Sequence, residues 1–156
     1  MGLFDRFKGK AKDTAKAAVK LNNKDLVEAL TGALALVVMA DGDASEKEIN
    51  KVKGLLRTNK SVADYATEVE RMFDDYVVRL RAGFRTGRQE ILREISQVKG
   101  NRYDAEAVLL NAIEVAEACG DEPTEENPNP EKISPEEEKA LAEVAKVLDL
   151  RLEDHL

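Results

Sequence analysis

Tryptophan is absent from this chain of 156 residues, and cysteine and histidine occur only once each, as Cys119 and His155. A lone cysteine cannot form an internal disulfide, which is typical of proteins from a reducing compartment. One cysteine and one histidine also leave no residue set for a zinc site and no Ser/His or Cys/His catalytic pair in a folded core. Since no glycine-rich phosphate loop occurs either, the sequence predicts a protein that is not an enzyme.

Long apolar runs are missing as well. None approaches the roughly 20 residues that a membrane-spanning helix needs. The first ten residues alternate apolar and charged side chains, unlike the apolar block of a secretory signal. Glycine and proline are few, 9 and 4 residues, while 43% of the chain is hydrophobic and 35% is charged. This composition excludes collagen-like and disordered chains, and it predicts a globular protein of the cytoplasm.

The net charge of -7 is unevenly distributed. Residues 1–24 contain seven basic and two acidic side chains, with apolar residues such as Phe4 and Phe7 at helical spacing. We expect a basic amphipathic helix over 1–24 and a helical domain over 25–156. The basic helix suits packing on its own domain, a weak membrane-surface contact through residues 1–20, or docking to an acidic partner. Nucleic acid is not expected as a partner, because the acidic remainder repels phosphates.

Helical periodicity dominates the chain, which predicts an all-α fold, a compact single-domain bundle of about seven to eight helices. Asn22-Asn23 predicts a break before a buried helix that stops at Asp41-Gly42-Asp43. Further helices are expected from Ser45 to about Thr58, over 62–81, from near 101 to 119, and from Ser134-Pro135 onward. Gly83 and Gly87 are expected to bracket a turn, with Thr86 to Gln89 as the capping box of the next helix. A short turn over 152–155 closes the chain.

One pattern occurs twice: a buried helix, an acidic loop, Ser-x-x-Glu and an amphipathic helix. Ser45 and Glu48 belong to the first copy, and Ser134 and Glu137 to the second. The pattern predicts two pseudo-repeated helical hairpins, and we expect their acidic loops, 41–48 and 121–138, to face each other. All four prolines lie between residues 123 and 135, in or beside the second loop.

Opposed carboxylates repel unless they are solvated, protonated, paired with a cationic side chain or bridged by a metal ion. A divalent cation with oxygen ligands is the most direct solution, and Ca²⁺ accepts irregular oxygen shells more readily than Mg²⁺ does. The sequence therefore predicts a divalent cation, most simply calcium, as cofactor. The predicted metal ligands are Asp41, Asp43, Glu48, Asp121 and Glu137.

Helix capping is the competing explanation for two of these residues. Glu48 and Glu137 each stand three residues after a serine, where a glutamate closes a capping box and interacts favourably with the helix dipole. An EF-hand is excluded by counting from Asp41, because Glu46 occupies the glycine position and Val52 the position of the bidentate glutamate. Any metal site must then be assembled from both loops.

These residues resemble the TerB-like domain family of tellurite-resistance proteins, nearly from end to end. The similar segments are residues 1–9, residues 39–48 with Asp41-Gly42-Asp43, and residues 133–137. The resemblance implies an all-helical fold with two similar halves, a metal centre at the acidic loops, and a role in bacterial stress response. It also implies other tellurite-resistance proteins as partners, among them a membrane protein of the same system, and a cytoplasmic location that is peripheral at the inner membrane.

Within this resemblance, Asp41-Gly42, Glu48 and Glu137 match the family pattern. The second loop departs from it, because it has Gly120-Asp121 in place of Asp-Gly and a proline-rich acidic insertion follows. Asp121 or Glu122 then compensates, or the site is one-sided. Two functions remain open: a divalent-cation-binding adaptor of the resistance system, or a metal-independent acidic module that recruits a basic partner.

Overall fold

The fold is organised around one long helix whose last three turns are buried on every side. The computed structural model describes residues 15–58, 65–120, 123–130 and 132–156. In this first helix, α1, every residue from 29 to 38 is buried, and Met39 continues the run. Thr31 is the one hydroxyl in that stretch, and its Oγ1 donates to the Val27 carbonyl at 2.7 Å. A helix this apolar requires neighbours around its whole circumference.

The described residues contain six α-helices and one short 3₁₀ helix, in an order that alternates long and shorter segments. Their bounds are α1 Ala15–Val38, α2 Glu46–Thr58, α3 Ala66–Ala82, α4 Phe84–Ser96, α5 Arg102–Ala118, α6 Pro135–Val147 and the 3₁₀ helix Leu152–Asp154. No strand occurs in these segments. The all-α prediction is confirmed, and the described residues contain six α-helices against the seven to eight expected for the chain.

Helix α1 contacts each of the other five α-helices, so the core is a shell of helices around it. The largest fully buried side chains come from all six helices and include Leu34, Leu56, Phe73, Ile91 and Leu109. The chain forms one compact domain. Among the described helices, none is both long enough and apolar enough to cross a membrane.

Both predicted Ser-x-x-Glu capping boxes are present. Ser134 Oγ accepts from the Glu137 amide at 3.1 Å, while Glu137 Oε1 accepts from the Ser134 amide at 2.9 Å. Ser45 and Glu48 make the same reciprocal pair at 3.1 and 3.2 Å. Two N–H groups without helical partners are satisfied at each helix start, which fixes where α2 and α6 begin.

The break predicted at Asn22-Asn23 is wrong, since α1 runs through both residues to Val38. Asparagine in a helix interior costs at most about 0.7 kcal/mol relative to alanine, which is too little to end a helix that is packed further along. The predicted basic helix over 1–24 is therefore continuous with the buried helix from residue 15. Its residues 1–14 lie outside the described part of the chain, as does Val62, the predicted start of α3.

The turn predicted between Gly83 and Gly87 is also wrong. Helix α4 begins at Phe84, directly after Gly83, so Thr86 and Gln89 lie within the helix and form no capping box. Gly87 is buried, and a Cβ atom there would lie 3.1 Å from the Arg79 carbonyl oxygen. Its small size lets α4 approach the end of α3 closely, a tertiary reason that a local turn pattern does not reveal.

Gly32 provides a test of how tightly α1 is packed. A Cβ atom at Gly32 would lie 2.8 Å from Cγ2 of the fully buried Ile91, whereas one at Gly54 in α2 would meet nothing within 4 Å. We expect Gly32→Leu to lower the free energy of unfolding by about 1–3 kcal/mol through overpacking. Gly54→Leu should raise it by up to about 1 kcal/mol through helix propensity. Urea unfolding followed by circular dichroism measures both, and a Gly32→Leu variant as stable as the parent would contradict the packing.

Candidate metal centre

A cleft of ≈ 650 Å³ opens where the two pseudo-repeated hairpins meet. The end of α1, the start of α2, the end of α5 and the start of α6 each contribute to its walls. The polar and charged residues that line it are Asp41, Ser45, Lys47, Glu48, Lys51, Cys119, Thr124, Asn127, Ser134 and Glu137. The two acidic turns predicted to face each other therefore share one cavity.

Three of the five predicted ligands, Asp41, Glu48 and Glu137, line this cleft. Asp41 follows the buried end of α1, while Glu48 and Glu137 lie in the first turns of α2 and α6. The capping boxes position both glutamates, because each engages its own helix start through Oε1. Glu48 Oε1 also accepts from Ser45 Oγ at 3.0 Å. Capping thus explains why these glutamates are held, and the shared cleft brings together carboxylates 89 positions apart in the chain.

Asp43 has a different environment, because Arg81 from the end of α3 binds it. Arg81 Nε donates to Asp43 Oδ1 at 2.9 Å, and the Arg81 guanidinium also donates to the Ala44 carbonyl at 3.2 Å. The arginine hydrogen bond, followed by one from the Ala44 amide, holds the pKa of Asp43 below its ordinary value. Asp43 does not line the cleft. Its contacts make it an anchor that ties the first acidic loop to α3.

Asp121, the fifth predicted ligand, lies outside the described residues, as does its proposed substitute Glu122. Their neighbour Gly120 explains part of the departure from the family pattern. A Cβ atom on Gly120 would lie 2.4 Å from the Lys132 carbonyl oxygen. The backbone after α5 and the backbone at Lys132, just before α6, therefore approach too closely for a side chain at position 120. A glycine is therefore needed before position 121, whatever Asp121 itself does.

The charges in the cleft influence one another. Burial raises the pKa of Glu137, and the carboxylates of Asp41 and Glu48 raise it further, against the hydrogen bonds from Ser134. Burial likewise raises the pKa of the Cys119 thiol; Lys51 lowers it, while Glu48 and Glu137 raise it. Negative charge from both hairpins is thus concentrated in one partly desolvated space.

The described carboxylates of the cleft are not arranged as a ready metal site. Within the described segments, no group of three or more histidine, cysteine, aspartate or glutamate side chains is arranged so that it could hold an ion. Asp41, Glu48 and Glu137 share the cleft without forming a ready coordination shell. A cation shell would need those side chains to move together, with further oxygens from elsewhere in the loop.

Sequence reasoning missed several residues of the cleft. Lys47 and Lys51 place positive charge beside the carboxylates. Thr124 and Asn127 contribute neutral oxygen atoms from a tight turn, in which the Asn127 amide donates to Thr124 Oγ1 at 3.0 Å and the Thr124 amide donates to the Asn127 carbonyl at 3.0 Å. The Thr-x-x-Asn spacing beside prolines was an available signal for this turn. Cys119 also lies at the cleft wall, where it is half-buried.

Replacing Glu137 with glutamine tests the crowding of charge. The raised pKa of Glu137 means that its carboxyl binds a proton more tightly in the folded state than in the unfolded state. Proton binding at Glu137 therefore adds to the free energy of unfolding below pH 4.5, the ordinary pKa, and this added stability is lost as the pH rises through the folded-state pKa. At pH 7 the ionised group therefore destabilises the fold. Glu137→Gln keeps the capping geometry, and we expect it to raise the free energy of unfolding at pH 7 modestly, since burial and the carboxylates of Asp41 and Glu48 no longer act on a charged group.

The gain should shrink as the pH is lowered toward 4, where the parent glutamate takes up its proton. Urea unfolding at pH 7 and pH 4 measures the difference. Glu138→Gln, an exposed change in the same helical turn, is the matched control and should have little effect. A loss of stability in Glu137→Gln at pH 7 would show that the charged hydrogen bond to Ser134 outweighs the repulsion.

Gly120→Ala tests the close approach at the cleft wall. The added methyl group must displace the backbone at Lys132, since it would lie 2.4 Å from that carbonyl oxygen. We expect a loss of about 1–3 kcal/mol in unfolding free energy and faster labelling of Cys119 by a thiol reagent as the cleft opens. Gly100→Ala, at an exposed position where a Cβ meets nothing within 4 Å, is the control. Equal stability and equal Cys119 labelling in both variants would contradict the close contact.

Comparison with known proteins identifies the family. A search of curated proteins found no significant match, and a search of solved structures found none. The family model described as tellurite resistance protein TerB matches residues 27–155. The matched range includes both capping boxes and all the described walls of the acidic cleft. The chain therefore belongs to the TerB family of tellurite-resistance proteins.

Proposed function

We propose that this protein is a non-enzymatic member of a bacterial tellurite-resistance and stress-response system, and that it binds a divalent cation in the acidic cleft. The observation behind the proposal is that Asp41, Glu48 and Glu137, from both hairpins, line one cavity. Family membership supplies the link to tellurite resistance. The cation would neutralise the two turns and hold the hairpins together, leaving the protein as an adaptor for other proteins of the system.

The chemistry of the cleft favours a hard cation. Its carboxylates, serine and threonine hydroxyls and asparagine amide are oxygen donors of the kind that Ca²⁺ binds in irregular shells. Glu48 and Glu137 each use Oε1 for capping, and within the described residues no hydrogen bond to either Oε2 is found. Each glutamate can then cap its helix and still offer an oxygen. The described carboxylates are not preassembled, so the remaining oxygens would come from Asp121 or Glu122.

Asp43 is one of the predicted ligands, and its hydrogen bond with Arg81 gives it a structural role whether or not it binds the cation. Arg81 fixes the loop that also contains Asp41, two residues earlier. If Asp43 joins the cation shell, its hydrogen bond to Arg81 must lengthen or break. An Arg81→Gln variant would then bind the cation more tightly, whereas loss of loop anchoring alone would weaken binding.

Calcium titration of the full chain tests the proposal. We expect millimolar Ca²⁺ to raise the melting temperature by several degrees relative to chelator, because a ligand at 100 times its dissociation constant adds about 2.7 kcal/mol to stability. The variant Glu48→Gln with Glu137→Gln keeps both capping boxes and should lose this increase. The matched control, Glu46→Gln with Glu138→Gln, removes equal charge from the same helical turns outside the cleft and should keep it.

Isothermal titration calorimetry on the same three proteins gives the affinity, and Mg²⁺ in place of Ca²⁺ tests the choice of ion. Absence of both heat and thermal stabilisation in the parent protein would reject the metal-binding proposal. A stabilisation that the control pair loses as strongly as the cleft pair would show nonspecific screening of acidic helix starts.

The second candidate is a metal-independent acidic interaction module. The lack of a ready coordination group in the described residues favours it, as does the presence of Lys47 and Lys51 beside the carboxylates. Binding of a lysine-rich peptide that persists in chelator and is abolished by Asp41→Lys with Asp43→Lys would support this function. The proposed setting is the same for both candidates: the cytoplasm, peripheral to the inner membrane, with a membrane protein of the resistance system among the partners.

A further inference from the structure

A second cleft, of ≈ 340 Å³, lies beside α6 and differs in chemistry from the acidic one. It is formed by the end of α1, the first turns of α4 and the first turns of α6. On α6 its lining residues are Glu136, Lys139, Ala140 and Glu143, whose spacing of three and four places them on one helical stripe. Glu137, which lines the acidic cleft, lies off that stripe. The two clefts therefore occupy different faces of the same helix.

The second cleft has an apolar portion. Leu36, Ala40 and Ala140 line it together with Phe84, the first residue of α4, which remains 36% exposed. A single exposed aromatic ring is ordinary on a protein surface. Phe84 differs from an isolated case because it lines a concavity with three other apolar residues. The cleft therefore offers an aromatic face and an aliphatic wall to one inserted side chain.

The charge of this cleft is opposite to that of the protein. Arg85, Arg88 and Lys139 line it, in a chain whose net charge is -7. Arg88 forms an ion pair with Glu143 across the cleft, which fixes α4 to α6. Arg85 and Lys139 form no ion pair with another described residue. Two cations that have no acidic partner among the described residues thus border an apolar concavity.

We infer that this cleft is a docking site for an acidic protein segment that bears one large apolar side chain. The apolar side chain would pack on Phe84, while flanking carboxylates would pair with Arg85 and Lys139. Arginine suits this role because its planar guanidinium binds a carboxylate through two parallel hydrogen bonds. The inference rests on the second cleft alone and does not depend on cation binding at the acidic one.

Charge complementarity favours a peptide over other anionic partners. Glu136 and Glu143 also line the cleft, and the body around it is acidic, so a nucleic acid or an anionic membrane would meet repulsion on either side of two cations. A peptide places its few charges selectively and inserts one side chain. The volume of ≈ 340 Å³ suits one or two side chains rather than an extended polymer.

Fluorescence anisotropy with a labelled acidic peptide that has one central phenylalanine tests the inference on the full chain. We expect saturable binding that weakens about tenfold or more when the peptide phenylalanine is replaced by serine, and by a similar factor in the protein variant Arg85→Glu with Lys139→Glu. The matched control, Arg93→Glu with Lys146→Glu, makes the same charge change on the same two helices at exposed positions outside the cleft. It should bind the peptide as the parent does.

Circular dichroism of each variant checks that it is folded, and Phe84→Ser gives a second route to the same site without a change of charge. The inference would be overturned if both double variants weakened peptide binding equally, or if the peptide with serine in place of phenylalanine bound as tightly as the original. Either result would show nonspecific ionic attraction. Binding of phosphatidylserine vesicles that depends on Arg85 and Lys139, with no peptide binding, would overturn it in favour of a lipid surface.

Discussion

The burial of the end of α1 is the constraint on which the rest of the structure depends. Ten consecutive positions, 29–38, have no exposed face, so the other helices must surround them. Close packing on all sides gives α1 one position, and its end fixes where the loop with Asp41 leaves the core. Helix α6 packs against the same helix. The turn with Asp41 follows α1 directly, and the turn before α6 belongs to a helix that packs on α1. The two turns therefore meet although they are far apart in sequence.

The acidic side chains at this meeting point serve structure first. Glu48 and Glu137 satisfy backbone groups at helix starts, and this stabilisation is offset at Glu137 by burial beside other carboxylates. Glu137 caps its own helix and is repelled by the carboxylates of Asp41 and Glu48. This position suits cation binding, because a cation would remove the repulsion between carboxylates without disturbing the capping hydrogen bonds. Local capping and long-range repulsion therefore act on the same side chain.

The sequence predicted what depends on local chemistry. The serine caps of α2 and α6, the asparagine start of α5 and the closing turn all follow from hydrogen bonds within a few residues, and all are present. The errors have tertiary causes. Gly87 permits contact between helices rather than a turn, and the Asn22-Asn23 pair is too weak a signal to end α1. Arg81 reaches Asp43 from 38 positions away, a pairing that no local pattern indicates.

For the acidic cleft as well, the sequence predicted the local hydrogen bonds but not the tertiary surroundings. The twofold Ser-x-x-Glu pattern indicated that two acidic turns are related, and residues of both Ser-x-x-Glu segments line one cleft. The pattern contained no information on what lies around them. Helix α6 shows why this matters, because adjacent stripes of its first turns line an acidic cleft and a cationic one. A ligand that shifted α6 in one cleft would alter the walls of the other, and coupling of this kind is reciprocal. Two clefts on one short helix thus provide a physical route by which a ligand bound in one would change the shape of the other.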